Sequence, residues 1–311
     1  MKVGITAIVP PEIVYSTNNT PIDLNNFVPQ SNMIPKNKLC AWTATWRDLV
    51  LQNNIEIDKL IVVAGGDCQN SLVDAEKLEI KKNIPTHYFF YQFGDKEHFK
   101  NELKKLTMFL SNGEIDKTKM GEVYNIKKLV KKVDKLCYND KIKGVDAFYT
   151  CISASDLEGD VGKYKDKVKK LLYSELDIEY NKRIAIIGIP PIFNDFYEYL
   201  EDIGIHCVYN ELAYEFIRMG GKSINEIVDS YSTYSFANHI KHRIKIIKKE
   251  LKKRKVDGVI HYTQMSCHHK LEDEILREFI DYPMLTIEGD IPQKTPEQIK
   301  LRIEAFIELM G

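Results

Sequence analysis

The chain opens on an apolar run, residues 3–14, that contains the proline pair Pro10-Pro11. The same pattern returns at residues 184–192, around Pro190-Pro191. Each run has the length of a buried strand, and a proline in the first turn of a helix is a common start signal. The two runs therefore predict a strand followed by a helix at two places in the chain.

The match between these two places continues downstream as an internal repeat. The paired strands are predicted at residues 20–24 and 205–210, 57–68 and 256–267, and 84–95 and 282–290. An amphipathic helix follows the last strand of each set, at residues 96–110 and 295–310. Strands that alternate with helices indicate parallel sheets. The predicted fold class is α/β, with two flavodoxin-like, doubly wound parallel-sheet domains and a helical insert.

The insert is a lysine-rich segment between the two halves. Its apolar residues recur at helical spacing in 123–136 and 164–176, which predicts helices there. The predicted units are an N-terminal α/β domain at residues 1–113, a helical insert at 114–180 and a C-terminal α/β domain at 181–311.

Charge and hydropathy exclude several classes of partner. The 44 Lys and Arg residues balance 45 Asp and Glu residues, so we expect neither nucleic acid nor a membrane as a partner. No apolar run reaches the roughly 18 residues that cross a bilayer, and the first residues lack a signal-peptide layout. We therefore expect a cytoplasmic protein. The basic stretch 239–255 places isoleucines on one face, which predicts a core-packed helix with a basic outer side.

Three of the six cysteines are candidate ligands. Parallel α/β sheets bind ligands outside the carboxyl ends of their strands, and the repeat places Cys68 and Cys267 there. Cys40 begins a predicted helix, where the helix dipole would lower the thiol pKa and favour the thiolate. Three thiolates from distant segments can thus meet at one place. The remaining cysteines are predicted core residues: Cys137, Cys151 and Cys207.

Two metal centres suit three thiolates. Zinc would need a fourth ligand, which His268 or His269 could supply as a Cys3His set, although both are also predicted as exposed residues that begin a helix. An iron–sulfur cluster held by three cysteines would leave one iron open.

No phosphate-binding loop occurs, and Gly65-Gly66 before Asp67 predicts only a tight turn, so we expect no ATP hydrolysis by this chain.

In content and order these segments resemble the 2-hydroxyacyl-CoA dehydratase component family. That family includes dehydratase alpha and beta subunits, benzoyl-CoA reductase-type subunits and double-cubane cluster proteins. The resemblance rests on VPPEIVYSTNNTPIDL, on Cys40, on IDKLIVVAGGDCQNSLVDAEKL, on DGVIHYTQMSCHHKLEDEIL and on YPMLTIEGDIPQKTPEQIKLRIEAFIE. It spans nearly the whole chain.

The resemblance implies that Cys40, Cys68 and Cys267 bind a 4Fe-4S cluster, one or two per chain and possibly of the double-cubane kind, between two α/β domains. It also implies a homodimer or a paralogous subunit, and an ATP-hydrolysing iron–sulfur activator that delivers electrons. Dehydratases of this kind use one electron to make a ketyl radical from a CoA thioester, and double-cubane members reduce small molecules. The expected activity is an iron–sulfur lyase (dehydratase) or a low-potential reductase.

The chain departs from the family pattern at the candidate site. It is shorter than typical catalytic subunits, and Gln69 and His268-His269 stand where many members carry Asp. The sequence therefore assigns neither a substrate nor a catalytic acid or base. Two other functions stay open: a non-catalytic protein that carries electrons on its cluster, and a structural Cys3His zinc protein.

Overall fold

The computed structural model describes residues 1–65, 68–174 and 176–311 of the chain. It contains two four-stranded sheets, and every strand pairing in them is parallel. The first sheet has the order β2-β1-β3-β4, with β1 at Lys2–Ile5, β2 at Thr20–Asp23, β3 at Lys59–Gly65 and β4 at Thr86–Phe90. The second has the order β6-β5-β7-β8, with β5 at Lys182–Gly188, β6 at Ile205–Asn210, β7 at Gly258–Gln264 and β8 at Met284–Gly289.

The two sheets share one strand order, which confirms the internal repeat. In each sheet the first strand in sequence lies between the second and the third, so the chain winds in both directions from a central strand. The central strands are almost entirely buried: β7 has no exposed residue over its whole length. Buried parallel strands read as continuous apolar runs, and this is why the sequence located all eight. The predicted α/β fold with two doubly wound sheets is confirmed.

Helices cover both sheets. Those of the first half are α1 at Pro11–Ser16, α2 at Ala41–Leu51, α3 at Gln69–Lys82 and α4 at Lys96–Ser111. Those of the second half are α8 at Phe196–Asp202, α9 at Glu211–Arg218, α10 at Ile224–Tyr231, α11 at Ile240–Arg254, α12 at Asp273–Phe279 and α13 at Glu297–Leu309. Short 3-10 turns occur at Leu24–Phe27, Ser153–Ser155, Leu157–Gly159 and His268–Glu272.

The second proline pair does not start a helix. Pro11 is the first residue of α1, as predicted, but α8 begins only at Phe196, so the prediction for Pro190-Pro191 was wrong. The intervening backbone is tied to other segments instead of to a helix. The N–H of Ile192 donates to the Tyr262 hydroxyl (3.1 Å), and that of Asn194 donates to the carbonyl of Gln293 (3.0 Å).

The segment between the halves is helical, as predicted. It holds α5 at Lys117–Cys137, α6 at Gly144–Ile152 and α7 at Val161–Leu172. The first and third of these were expected, whereas α6 was not, because its residues read as a short apolar run without a clear period. Helix α5 packs against α1 of the first half and α9 of the second, so the insert joins the two.

One apolar core runs through both halves and the insert. It includes Val62 of β3, Val130 of α5 and Ile186 of β5. A second cluster lies under α11, where Ile247 and Leu251 are buried, and this confirms that α11 packs on the core. Two basic residues of α11 do not lie on its predicted basic outer side. Its arginines Arg243 and Arg254 are buried because carboxylates of neighbouring helices pair with them.

A buried charge network joins the three parts of the chain. The Lys127 ammonium of α5 lies 3.3 Å from Glu12 of α1 and donates to the Tyr231 hydroxyl of α10 (2.8 Å). Tyr231 in turn donates to Glu12 (2.8 Å). Burial lowers the pKa of Lys127, and the Glu12 carboxylate acts in the opposite direction.

No helix among the described residues combines the length and the apolar composition that a bilayer crossing requires.

Candidate functional site

A cavity of about 180 Å³ lies at the carboxyl ends of the two sheets, and Cys40, Cys68 and Cys267 all line it. Cys68 follows β3 and Cys267 follows β7, which hold the same position in the two sheets. Three segments that are far apart in sequence therefore place their thiols on one cavity. Cys40 is 5% exposed, and the other two are half-buried.

Each of these cysteines is the residue before a helix. Cys40 is the N-cap of α2, Cys68 is the N-cap of α3, and Cys267 is the N-cap of the 3-10 turn at His268–Glu272. The first turn of a helix has backbone N–H groups without an intrahelical acceptor, and the helix dipole makes this end favourable for negative charge. The three positions thus suit thiolate ligands.

The pKa of Cys40 differs from the expectation. Burial raises it above the usual value for a thiol, and the Asp74 carboxylate adds to this effect. Hydrogen bonds from the backbone N–H groups of Thr43 and Trp42 act in the opposite direction but do not outweigh burial. The prediction of a lowered pKa was therefore wrong for this thiol. A bound cation would be needed to hold it as a thiolate at neutral pH, as metals do for coordinating thiols.

Helices α2 and α3, which follow Cys40 and Cys68, are fastened to each other by a buried ion pair. Asp74 of α3 accepts a hydrogen bond from the Thr43 hydroxyl (2.7 Å) and another from the Arg47 guanidinium (2.7 Å), both on α2. Arg47 is 4% exposed and also donates to the carbonyl of Lys36, in the loop that leads to Cys40. These contacts fix the relative positions of two of the three candidate ligands.

Contacts across the two halves bring the third cysteine to the same place. The side-chain amide of Asn70, two residues after Cys68, donates to the carbonyl of Ser266, directly before Cys267 (3.2 Å). Ser266 adopts a left-handed backbone conformation (φ 64°) that turns the chain there. Lys38, two residues before Cys40, forms an ion pair with Asp290.

His268 and His269 differ in environment. His268 is exposed, as predicted, whereas His269 is only 4% exposed, so the prediction was wrong for it. His269 is buried because its Nδ1 lies 2.8 Å from Glu272, which is also paired with Arg243. Burial alone would raise the pKa of Glu272, but the hydrogen bond with His269 and the Arg243 charge lower it to about 2.

Aromatic side chains form much of the cavity wall. Phe148 and Tyr149 come from α6 of the insert, and Tyr197 of α8 stacks on Phe148 with ring centroids 3.9 Å apart. Trp42 and Phe216 complete this part of the lining. The sequence did not predict this wall, because its residues belong to separate elements whose packing no local pattern encodes.

The end of β2 adds a polar part of the wall that the sequence reasoning also missed. Asp23, Asn25 and Asn26 line the cavity there. The backbone N–H of Asp23 donates to the buried Asp156 carboxylate (2.9 Å), and burial together with Asp23 raises the pKa of Asp156 to about 7. The signal was available, since the carboxyl-end rule applied to Cys68 applies equally to the polar residues after β2.

Comparison with known families identifies the family of this chain. The family model of the 2-hydroxyglutaryl-CoA dehydratase D-component matches residues 6–310 of the 311-residue chain. The chain belongs to this family. The resemblance found in the sequence is thereby confirmed, and the dehydratase family works as a multicomponent system in which this chain corresponds to one component. A search of curated proteins gives no match.

The remaining cysteines of this dehydratase-family chain do not line the cavity. Cys137, Cys151 and Cys207 are each at most 5% exposed and surround a much smaller pocket between the insert and β6. Burial raises the pKa of all three thiols. The prediction that they are core residues is confirmed.

The donor set at the cavity was compared with two kinds of metal centre. Within residues 1–65, 68–174 and 176–311, no three His, Cys, Asp or Glu side chains are grouped closely enough to hold a single metal ion. A zinc ion would need four ligands at about 2.0–2.3 Å. An iron–sulfur cluster differs from a single metal ion because each thiolate binds its own iron, so the cysteine sulfurs stand further apart.

Gly66 and Asp67, which the sequence placed beside Cys68, lie outside the described residues.

Proposed function

We propose that this chain binds a 4Fe-4S cluster through Cys40, Cys68 and Cys267 and serves in low-potential reduction or in radical dehydration. We further propose that an ATP-hydrolysing iron–sulfur activator supplies its electrons and that the chain pairs with an identical or paralogous subunit. The observation that carries the proposal is the meeting of these three thiols on one cavity between two sheets of a dehydratase-family chain.

The residues around the cavity fit such a cluster. Three thiol donors, each at the start of a helix, suit a cluster that keeps one iron free for another ligand. When bound, the cluster supplies a site that accepts an electron at low potential. The chain's own contribution is to position the ligands: the ion pair of Arg47 and Asp74 holds the segments of Cys40 and Cys68 together, and aromatic side chains line another part of the same cavity.

The placement of the other cysteines favours a single cluster over a double cubane. Two joined cubanes need more thiolates than three. Cys137, Cys151 and Cys207 account for every other cysteine in the sequence, and each is buried in the core away from this cavity. We therefore propose one cluster per chain.

The cavity also favours an enzyme over a protein that only carries electrons. A carrier needs a cluster that is shielded and fully ligated, and a space beside it serves no purpose. Here the same cavity that the three cysteines line extends to Tyr149, Tyr197 and Phe216, which form a surface for an organic molecule. This observation supports substrate binding next to the metal centre.

Electron delivery tests the proposal. Anaerobically purified protein is mixed with an ATP-hydrolysing iron–sulfur activator of this enzyme class, a reductant and ATP. We expect an electron paramagnetic resonance signal of a reduced cluster in this chain that depends on ATP and is absent with a non-hydrolysable analogue. A signal of the same size without ATP hydrolysis would contradict the role of the activator, and an absent signal under all conditions would contradict the redox function.

A further inference from the structure

We infer that, in the protein without substrate, His269 binds through its Nε2 the iron that no cysteine holds. This inference rests on the proposed function and adds one residue to its metal centre. Three observations carry it: the place of the imidazole on the cavity, the contacts that fix its ring, and the contrast with the neighbouring His268.

His269 lines the same cavity as the three candidate cysteine ligands. The residue is only 4% exposed, so its imidazole belongs to the wall of the cavity and not to the protein surface. Nδ1 is occupied by Glu272, whereas none of the described residues forms a hydrogen bond with Nε2. One nitrogen of a buried ring is therefore left for whatever occupies the cavity.

The contact between His269 and Glu272 is the arrangement that usually stands behind a metal-binding histidine. Nδ1 lies 2.8 Å from the carboxylate of Glu272, which is also paired with Arg243 and can only accept. Nδ1 therefore carries the proton, and the lone pair of the neutral ring is on Nε2. A histidine that binds a metal almost always donates its other N–H in this way, and imidazole is a ligand that suits iron.

Further contacts behind this carboxylate hold the ring in one orientation. Arg243 donates to both oxygens of Glu211 (2.7 and 2.8 Å), which accepts from the backbone N–H of Gly188 at the end of β5 (2.8 Å). The ring of Phe236 packs edge-to-face on His269, with centroids 5.0 Å apart, and lies 4.5 Å from the guanidinium of Arg243. The imidazole is thus tied to the second sheet, and a ligand held in place before the metal arrives needs no rearrangement to bind it.

His268 lines the cavity as well but lacks this support. It is exposed, and neither of its ring nitrogens forms a hydrogen bond with a described residue. Its ring centroid lies 4.0 Å from that of His269, against which it packs. The sequence offered both histidines as a fourth ligand of zinc, and the contacts favour one of them. The other is a matched control of the same type on the same cavity.

A cluster can use this imidazole where a single ion cannot. Within the described ranges no three His, Cys, Asp or Glu side chains are close enough to share one ion, so His269 does not complete a one-ion site with the cysteines. Each iron of a 4Fe-4S cluster takes its own outer ligand, and three cysteines leave one iron for the ring. A neutral imidazole adds no negative charge beside the thiolates and Asp23 of the wall.

Nitrogen hyperfine coupling tests the inference on anaerobic protein whose cluster is reduced with titanium(III) citrate. Pulsed electron paramagnetic resonance detects a nitrogen bound directly to the cluster, and protein grown on isotopically labelled histidine shows whether it is a histidine nitrogen. We expect this coupling in the unmodified protein and in His268→Ala, and its loss in His269→Ala. Three thiolates remain in both variants, so both should retain iron and sulfide.

Circular dichroism checks that each variant is folded, and His269→Gln, which keeps a polar side chain, replaces the alanine variant if that one is not. Imidazole added to the folded variant should bind the vacated iron and restore a nitrogen coupling. A cluster without histidine coupling in the unmodified protein refutes the inference, as does a coupling that persists without His269 or is lost equally in His268→Ala. Iron and sulfide are counted on every sample, so that a missing cluster, which refutes the proposed function itself, is recognised separately.

Discussion

Cys267→Ala is expected to lose most of the iron and the acid-labile sulfide of the protein, whereas Cys137→Ala retains both. Cys267 lines the cavity together with Cys40 and Cys68, and its loss leaves two thiolates for the cluster. Cys137 is 3% exposed within the core and does not line this cavity. Iron and sulfide are measured per folded chain after anaerobic purification.

Circular dichroism provides the control for folding in both variants. A buried cysteine behaves as a small apolar residue, so Cys137→Ala should cost stability without changing metal content. Cys267 is half-buried, so its variant should keep the native helix content while it loses the metal. Equal iron retention in the two variants would show that the ligand assignment is wrong.

Lys127→Met is expected to lower the free energy of unfolding by about 3–5 kcal/mol, because it leaves the Glu12 carboxylate buried without its cation. Lys127 is 1% exposed and Glu12 is fully buried. Since these residues lie on α5 and α1 and contact Tyr231 of α10, the loss should loosen the contact between both halves and the insert. Urea unfolding of the metal-free protein measures the change.

Lys128→Met is the matched control, because Lys128 is the next residue of α5 and is exposed. It should change the free energy of unfolding by no more than about 0.5 kcal/mol. The double variant Glu12→Leu with Lys127→Met should recover at least about half of the loss, since no charge is then left buried alone. If Lys127→Met were no worse than Lys128→Met, the buried pair would not hold the parts together.

The fold was largely predictable because its signals are local. Each strand of a buried parallel sheet is a short apolar run with clear ends, and the runs recur in the same order in both halves. The candidate site followed from one further rule, that ligands bind at the carboxyl ends of such strands. That rule selected Cys68 and Cys267, and helix periodicity placed Cys40 at the start of α2.

The features that the sequence did not reveal depend on contacts between distant segments. Helix α6 reads as an apolar run, and only its packing against α8 and α9 makes Phe148 a wall of the cavity. His269 is buried because Glu272 and Arg243 lie beside it, and Arg243 is buried for the same reason. The pKa of Cys40 is raised because the thiol is buried, and the burial of a single residue cannot be derived from the sequence alone.

The chemical count of metal and sulfide on anaerobically purified protein tests most directly whether the thiols of this cavity hold an iron–sulfur centre. We expect about four iron atoms and about four acid-labile sulfides per chain, with no zinc. One zinc ion per chain without labile sulfide would contradict the cluster and with it the proposed function.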